Sequence, residues 1–159
     1  MDASVHASLD RLKTNQIDTL FLHQPSDLLG AHGPALRDAL ENCRRRGVAM
    51  RIGVSIYEPM ELDSLLDVMA IDVVQAPLNI LDRRLINTGA LKHLNNLGIA
   101  VHVRSVFLQG LLLMSSSERN NRFPEWTELW GAFDEQLQLV DASPLETCVR
   151  SVSYTHLRA

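Results

Sequence analysis

Polar side chains that could bind or polarise a small molecule recur at the ends of short apolar runs. His23, Ser55 and Gln75 each follow such a run, and the pair Arg104 and Ser105 follows a fourth. One such residue is as often structural as functional, whereas four at equivalent positions favour a shared site. A histidine among amide and hydroxyl groups can polarise a carbonyl and hold a carboxamide. The pattern therefore favours chemistry on a carbonyl compound.

The missing residue types narrow this chemistry. The two lysines, Lys13 and Lys92, lie in predicted helices, so no strand ends in a Schiff-base lysine. No predicted strand ends in a carboxylate or a cluster of His and Asp, and we therefore expect no metal site. The sequence also lacks a Gly-x-Ser-x-Gly elbow, a Walker lysine loop and a Gly-x-Gly-x-x-Gly turn.

Short apolar runs that alternate with helical periodicity position these side chains. The run that ends at Pro25 predicts a buried strand, and Pro25 stops it just after His23. Single helices separate the runs, so the strands must be parallel, with their carboxyl ends at one edge of the sheet. Ligands bind at that edge in such folds. The four strand segments are residues 17–25, 50–55, 71–75 and 99–105.

The last third of the chain follows a different pattern. Residues 115–122 are polar and predict a surface loop, after which residues 126–137 have helical spacing. Ser143 and Pro144 open one more helix, and the periodicity is lost over residues 151–159. We therefore assign residues 1–150 to one domain and interpret residues 151–159 as a tail that is not native.

Composition favours one soluble globular unit. The chain has 159 residues, of which 46% are hydrophobic and 21% charged, and its net charge is −4. The arginines are dispersed apart from residues 44–46, so we expect no nucleic-acid partner. No apolar run reaches the ~18 residues of a membrane span. Cys43 and Cys148 fall in predicted helices and read as reduced core thiols, which indicates a cytoplasmic protein.

Four segments, in the same order along the chain, resemble the aldo-keto reductases. Residues 8–12 and 17–25 resemble the fourth strand of that family and the helix before it. Residues 52–57, IGVSIY, are similar to its Ile-Gly-Val-Ser-Asn-Phe segment. The other matches are residues 73–75 with 79–83, similar to the sixth strand and its loop, and residues 105–112, similar to the seventh strand and its cofactor loop. The resemblance covers about residues 4–150 and implies an α/β fold, a partial (β/α)8 TIM barrel of about four parallel strands.

The resemblance implies an NADPH-dependent oxidoreductase that reduces aldehydes or ketones by hydride transfer, with NADH as the alternative cofactor. His23 matches the catalytic histidine that orients and polarises the substrate carbonyl. Arg104 lies where many members have an aromatic ring on the nicotinamide, and a planar guanidinium can stack there too. The residues implied to bind the cofactor are Ser55 and Gln75 at the carboxamide, Arg104 at the ring, and Ser105 and Phe107 along the pyrophosphate.

The chain also departs from the family pattern. Ile56 replaces an asparagine that usually shares the carboxamide, which removes one hydrogen bond to the cofactor. The segments that carry the family's Asp, Tyr and Lys, and its eighth strand, have no match. Tyr57 and Tyr154 are in the wrong places to replace that tyrosine. We therefore interpret the chain as an interior fragment that is inactive alone.

Two alternatives remain open at this point. A non-catalytic nicotinamide-binding or interaction module derived from the same fold would keep Ser55 and Gln75 without the chemistry. An unrelated open sheet of four strands would satisfy the periodicity but leave the four matches unexplained. The oligomeric state is open, although unpaired strand edges predict self-association.

Overall fold

The computed structural model describes residues 2–153, in which strands and helices alternate. Helix α1 (Asp2–Leu12) precedes strand β1 (Ile17–Leu22). The elements that follow are α2 (Gly33–Arg45), β2 (Ala49–Ser55), α3 (Leu62–Val68), β3 (Val73–Pro77), α4 (Arg84–Asn87), α5 (Ala90–Asn96), β4 (Ala100–Arg104), α6 (Ser116–Arg122), α7 (Thr127–Leu139) and α8 (Pro144–Ser153). Short 3-10 helices cover Pro25–Leu29, Pro59–Glu61, Leu108–Leu113 and Pro124–Trp126.

The four strands form one sheet in the order β1-β2-β3-β4. β1 and β2 are parallel, with Leu22 opposite Val54, and β2 and β3 are parallel, with Ser55 opposite Gln75. The structure confirms the predicted α/β class with parallel strands and intervening helices. The carboxyl ends of neighbouring strands therefore meet at one edge of the sheet, as expected.

The chain divides into two compact units. Among the described residues, the first unit holds residues 2–76 and 84–102, and the second holds residues 77–83 and 103–153. The core of the first unit includes Ile52, Val54 and Val74 from the strands, with Leu40 and Leu65 from the helices. The core of the second unit is the cluster Leu112, Phe133 and Cys148.

The prediction that the first strand is buried was wrong. Most residues of β1 are partly exposed and Asp18 is exposed, whereas β2 is buried over its last four residues. β1 is an outer strand of the sheet, so only β2 flanks it. An apolar run shows that a strand has a face to bury, but it does not reveal how many neighbours that strand has.

The prediction of a surface loop over residues 115–122 was also wrong, because this segment forms α6. Ser115 caps the helix: its hydroxyl accepts a hydrogen bond from the Glu118 N–H at 3.3 Å, and the Glu118 carboxylate accepts one from the Ser115 N–H at 2.9 Å. This reciprocal pairing satisfies two amides that a helix start leaves unpaired. The hydrogen bonds from Ser115, through its side chain and then its backbone, lower the pKa of Glu118.

Both cysteines are buried and neither forms a disulfide, which confirms the prediction of core thiols. Burial raises the pKa of the Cys148 thiol. α8 continues to Ser153 with Val152 buried, so helical structure extends three residues beyond the predicted boundary at residue 150. The rest of the proposed tail, residues 154–159, lies outside the described residues. Within residues 2–153, no helix is long and apolar enough to cross a membrane.

Asp72, just before β3, connects three strands. Its N–H donates to the Ile52 carbonyl at 2.9 Å, and its own carbonyl accepts from the Ala100 N–H at 3.0 Å. Its carboxylate accepts from the Ile52 N–H and from the Arg44 guanidinium, both at 2.7 Å. Asp72 therefore connects the middle of β2 to the amino ends of β3 and β4.

We expect Asp72→Ala to lower the free energy of unfolding by about 1.5–3 kcal/mol, because a buried Ile52 N–H and Arg44 lose a charged acceptor. Asp72→Asn keeps an acceptor for Ile52 and should lose less. Urea denaturation at one fixed protein concentration measures the change. Asp67→Ala, an exposed change on α3, is the matched control and should stay within about 0.5 kcal/mol of wild type. Equal effects of Asp72→Ala and Asp67→Ala would contradict the role of Asp72.

The outer edge of β1 predicts self-association. The Ile17 N–H donates to the Val48 carbonyl at 2.9 Å, so by alternation Asp18, Leu20 and Leu22 direct their backbone groups away from β2. Such a row of backbone groups pairs readily with another strand. We expect light scattering coupled to size exclusion to show a mass above that of one chain, rising with concentration. A single monomeric species with a sharp cooperative melt would contradict this expectation.

Candidate functional site

Three of the predicted site residues lie on neighbouring strands or directly after one. Gln75 was predicted to end its strand, but β3 continues to Pro77. Ser55 ends β2 and stands opposite Gln75 of β3. His23 immediately follows Leu22, which is opposite Val54, so His23 comes next in the same register as Ser55. Because side chains two residues apart share a face, these three residues lie on the same face as Phe21, Gly53 and Val73 one step earlier.

A direct hydrogen bond joins Ser55 and Gln75. The Ser55 hydroxyl donates to the Gln75 side-chain oxygen at 3.2 Å. Ser55 is 1% exposed, whereas Gln75 is only half-buried. The bond orients the Gln75 amide and leaves its nitrogen to donate elsewhere. A partly accessible amide donor beside a buried hydroxyl is suited to hold the carboxamide of a ligand.

His23 is exposed and lies in the bend after β1. Pro25 is buried just beyond it and begins the 3-10 helix Pro25–Leu29, so the chain turns away immediately after the histidine. An exposed imidazole at this position can approach a ligand that lies over the ends of the strands.

Phe21, Gly53 and Val73 lie on the same face, two residues before these polar residues, and their packing depends on Gly53. A Cβ added at Gly53 would lie 2.6 Å from the Phe21 ring and 3.0 Å from the Val73 carbonyl oxygen. The Phe21 ring occupies this space and packs against the His102 ring, with 5.7 Å between the centroids. Gly53 therefore admits an aromatic ring directly before the polar row of His23, Ser55 and Gln75.

The second unit contains the other predicted site residues. Arg104 ends β4, and its guanidinium lies 3.5 Å from the Ser105 hydroxyl, to which it donates. Ser105 has a positive φ of 61°, in the left-handed region that L-residues rarely adopt. Its carbonyl accepts hydrogen bonds from the Leu108 N–H at 2.9 Å and from the Asn79 amide at 3.2 Å. These two donors hold the turn after β4 in place.

Phe107 follows this turn and caps the 3-10 helix Leu108–Leu113. It is partly buried against the cluster of Leu112, Phe133 and Cys148. Its carbonyl accepts from the Gly110 N–H at 2.9 Å, which closes a tight turn through Leu108 and Gln109. Both of those residues also have positive φ, 46° and 54°. Phe107 is thus a packed side chain at the start of an unusual backbone turn.

Asn79 is a site-supporting residue that the sequence analysis did not select. It is 1% exposed, and its side-chain oxygen accepts from the backbone N–H groups of Leu81 and Asp82 at 2.9 and 2.8 Å. Its amide nitrogen holds the Ser105 carbonyl. An asparagine two residues beyond a strand, where it can bond its own following backbone, was the available signal.

Ile56 is 1% exposed and belongs to the core of the first unit, so it packs where the family usually has an asparagine. Tyr57 beside it is exposed, and its N–H donates to the Glu61 carboxylate at 2.9 Å. Ile56 therefore contributes its side chain to core packing.

Two surface grooves in the described part of the first unit lie elsewhere. One, of 460 Å³, is bordered by the starts of α3 and α5, and its lining includes Met60, Asp63 and His93. The other, of 540 Å³, lies beside the start of α2 and includes Asp27 and His32. Neither groove is lined by a predicted site residue. Among residues 2–153, no group of three or more His, Cys, Asp or Glu side chains could hold a metal ion.

Comparison with solved structures defines the class of fold. Glycerol dehydrogenase AKR11B4 from Gluconobacter oxydans matches 97% of this chain with a TM-score of 0.70 and 20% identity, over 51% of its own length. Aldo-keto reductase AKR11C1 from Bacillus halodurans matches 71% of this chain with a TM-score of 0.58 and 28% identity, over 38% of its length. The thermostable aldo-keto reductase Tm1743, with epalrestat, gives 0.59 and 23% over 76% of this chain and 45% of its own.

The alternating parallel strands and helices are therefore part of a (β/α)8 barrel. The sequence profile of the Aldo/keto reductase family matches residues 1–149. The chain belongs to the aldo/keto reductase family, as its sequence motifs predicted. It spans about half the length, or less, of the solved structures it matches. No curated protein matches it.

We expect Gly53→Ala to lower the free energy of unfolding by roughly 1–3 kcal/mol, because the new methyl group would overlap the Phe21 ring. Gly131→Ala is the matched control: a Cβ at Gly131 in α7 meets no atom within 4 Å, and alanine there should stabilise by about 0.5–1 kcal/mol. Chemical denaturation of the three proteins measures both effects. Opposite signs are expected, and a stabilising Gly53→Ala would refute the close packing of Phe21.

Proposed function

We propose that this chain carries the nicotinamide-binding part of an NADPH-dependent reductase of aldehydes or ketones. Family membership supports an oxidoreductase. The chain spans about half of the related structures, so we propose that other parts of the barrel supply the family's Tyr, Lys and Asp. The chain alone would then be inactive. NADH is the alternative cofactor. The proposed substrates are small carbonyl compounds, and the proposed location of the protein is the cytoplasm.

The observation that carries the proposal is the hydrogen bond between Ser55 at the end of β2 and Gln75 in the middle of β3. A carboxamide needs a donor for its oxygen and an acceptor for its nitrogen. The Gln75 amide nitrogen offers the donor, and the oxygens of Gln75 and Ser55 offer acceptors. The residues present therefore fit the nicotinamide group, which would supply the hydride when bound.

His23 would act on the substrate and not on the cofactor. Its exposed ring, next in register to Ser55, would donate a hydrogen bond to the substrate carbonyl oxygen and orient it. Such a bond stabilises negative charge that develops on the oxygen during reduction. The proton itself would come from the tyrosine of the complete barrel.

In the second unit, Arg104, Ser105 and Phe107 would contact the cofactor. The Arg104 guanidinium is planar and can stack on an aromatic ring. The Ser105 hydroxyl and the backbone turn at Phe107 provide polar groups for the pyrophosphate. Asn79 would hold the Ser105 carbonyl and so keep that turn in one conformation.

We expect the chain to bind NADPH weakly and saturably, with no turnover of aldehydes. Gln75→Met should weaken binding by roughly 3- to 10-fold, the effect of one neutral hydrogen bond. Gln138→Met, a change at an exposed glutamine of α7, is the matched control. Fluorescence titration with NADPH and then NADH gives the dissociation constants.

Equal affinities for wild type and Gln75→Met would contradict the carboxamide site, as would no binding by wild type. Turnover by the chain alone would show that the catalytic acid lies within it. Binding without turnover, also after addition of the remaining barrel segments, would instead favour the non-catalytic module.

A further inference from the structure

Arg119 is the most buried large polar side chain of the second unit. It belongs to the polar segment that forms α6, yet its side chain is 1% exposed. One guanidinium nitrogen forms an ion pair with the Asp134 carboxylate of α7, and another donates to the Met114 carbonyl at 2.5 Å. Burying a charge is costly unless it is paired and hydrogen-bonded, so this arrangement has a specific structural role.

The guanidinium also lies over two aromatic rings of α7. Its central carbon is 5.1 Å from the centroid of the Phe133 ring and 5.9 Å from that of the Trp130 ring. Trp130 is itself fixed, because its indole N–H donates to the Phe123 carbonyl at 3.1 Å. α7 therefore provides both an anion and a flat aromatic surface for Arg119.

The Met114 carbonyl is where this cluster contacts the loop after β4. Met114 directly follows the 3-10 helix Leu108–Leu113 and caps it. Three consecutive residues in that segment, Leu108, Gln109 and Gly110, have φ of 46°, 54° and 88°. Two of them are not glycine, and such a backbone persists only where its surroundings determine it.

We propose that Arg119 is a positioning residue that fixes the end of the segment 105–113 and so holds the turn at Ser105 and Phe107 in its binding conformation. The identity of the ligand at that turn rests on the proposed function. Backbone hydrogen bonds link this segment back to the turn. The Leu112 N–H donates to the Phe107 carbonyl at 3.3 Å, and the Leu108 N–H donates to the Ser105 carbonyl at 2.9 Å. Arg119 holds the Met114 end of the segment, and Asn79 holds its Ser105 end.

The forked guanidinium group explains why an arginine occupies position 119. The two terminal nitrogens bond different partners at once, a carboxylate on α7 and a backbone carbonyl on the loop. A lysine ammonium is a single point of charge and cannot lie flat on the Phe133 ring while it spans both partners. Arg119→Lys should therefore keep the ion pair with Asp134 and lose the link to Met114.

The test compares Arg119→Lys and Arg119→Met with Leu137→Ala, a change on α7 that loosens the same core without removing a bond to Met114. Hydrogen exchange, read by mass spectrometry, reports the amides of residues 105–114 and, as an internal reference, those of β2. We expect both arginine variants to accelerate exchange over residues 105–114 by at least roughly tenfold, with β2 unchanged. Leu137→Ala should not accelerate that segment beyond the rest of its unit.

NADPH titration of the same proteins supplies the second readout. We expect the dissociation constant for NADPH to be roughly tenfold higher in the arginine variants. It should be unchanged in Arg122→Met, an exposed control on α6. If wild type binds no NADPH, the proposed function fails, and the exchange data still decide the role of Arg119. Unchanged exchange over residues 105–114, or the same acceleration in Leu137→Ala, would overturn the proposal. If Arg119→Met does not fold, Arg119→Lys alone decides by the same criteria.

Discussion

The arrangement of the sheet depends on the hydrogen bonds made by Asp72. Its carboxylate accepts from the Ile52 N–H in the middle of β2, while the Asp72 backbone bonds both β2 and β4, so Asp72 connects three strands. A slip of one residue would turn every side chain to the opposite face. Because Asp72 fixes where β3 begins against β2, Gln75 comes to stand opposite Ser55, and their hydrogen bond follows from that register.

A second constraint is steric and lies one step before the polar row. Gly53 leaves room for the Phe21 ring, which also contacts His102, so an aromatic ring replaces the side chain that β2 lacks. In the second unit the corresponding support is polar, since Asn79 holds the Ser105 carbonyl and Arg119 holds the Met114 carbonyl. In both units the groups proposed to bind the cofactor are held by neighbours that would not touch it.

Much of this fold follows from periodicity, because apolar runs and helical spacing reflect burial directly. Gly47 and Gly98 end predicted helices, and both have the positive φ that such ends require. The exposure of β1 could not be read from its residues, since it depends on the strand's place in the sheet. The polarity of residues 115–122 favoured a loop, whereas the Ser115–Glu118 capping pair indicates the start of a helix. The buried role of Arg119 depends on Asp134 and Phe133, which are distant in sequence, and no local pattern announces it.

The candidate site was more predictable at its strand ends than in its loops. His23 follows β1, Ser55 ends β2 and Gln75 lies opposite Ser55, so parallel strand pairing alone brings them together. The positions of Ser105 and Phe107 depend on left-handed residues and on contacts from Asn79, which no periodicity encodes. This difference has a functional consequence. In the proposed carboxamide site, Ser55 orients Gln75 through one hydrogen bond between adjacent strands, and the proposed contacts involve no catalytic tyrosine or lysine. The proposed function therefore assigns cofactor binding and the chemical step to different residues.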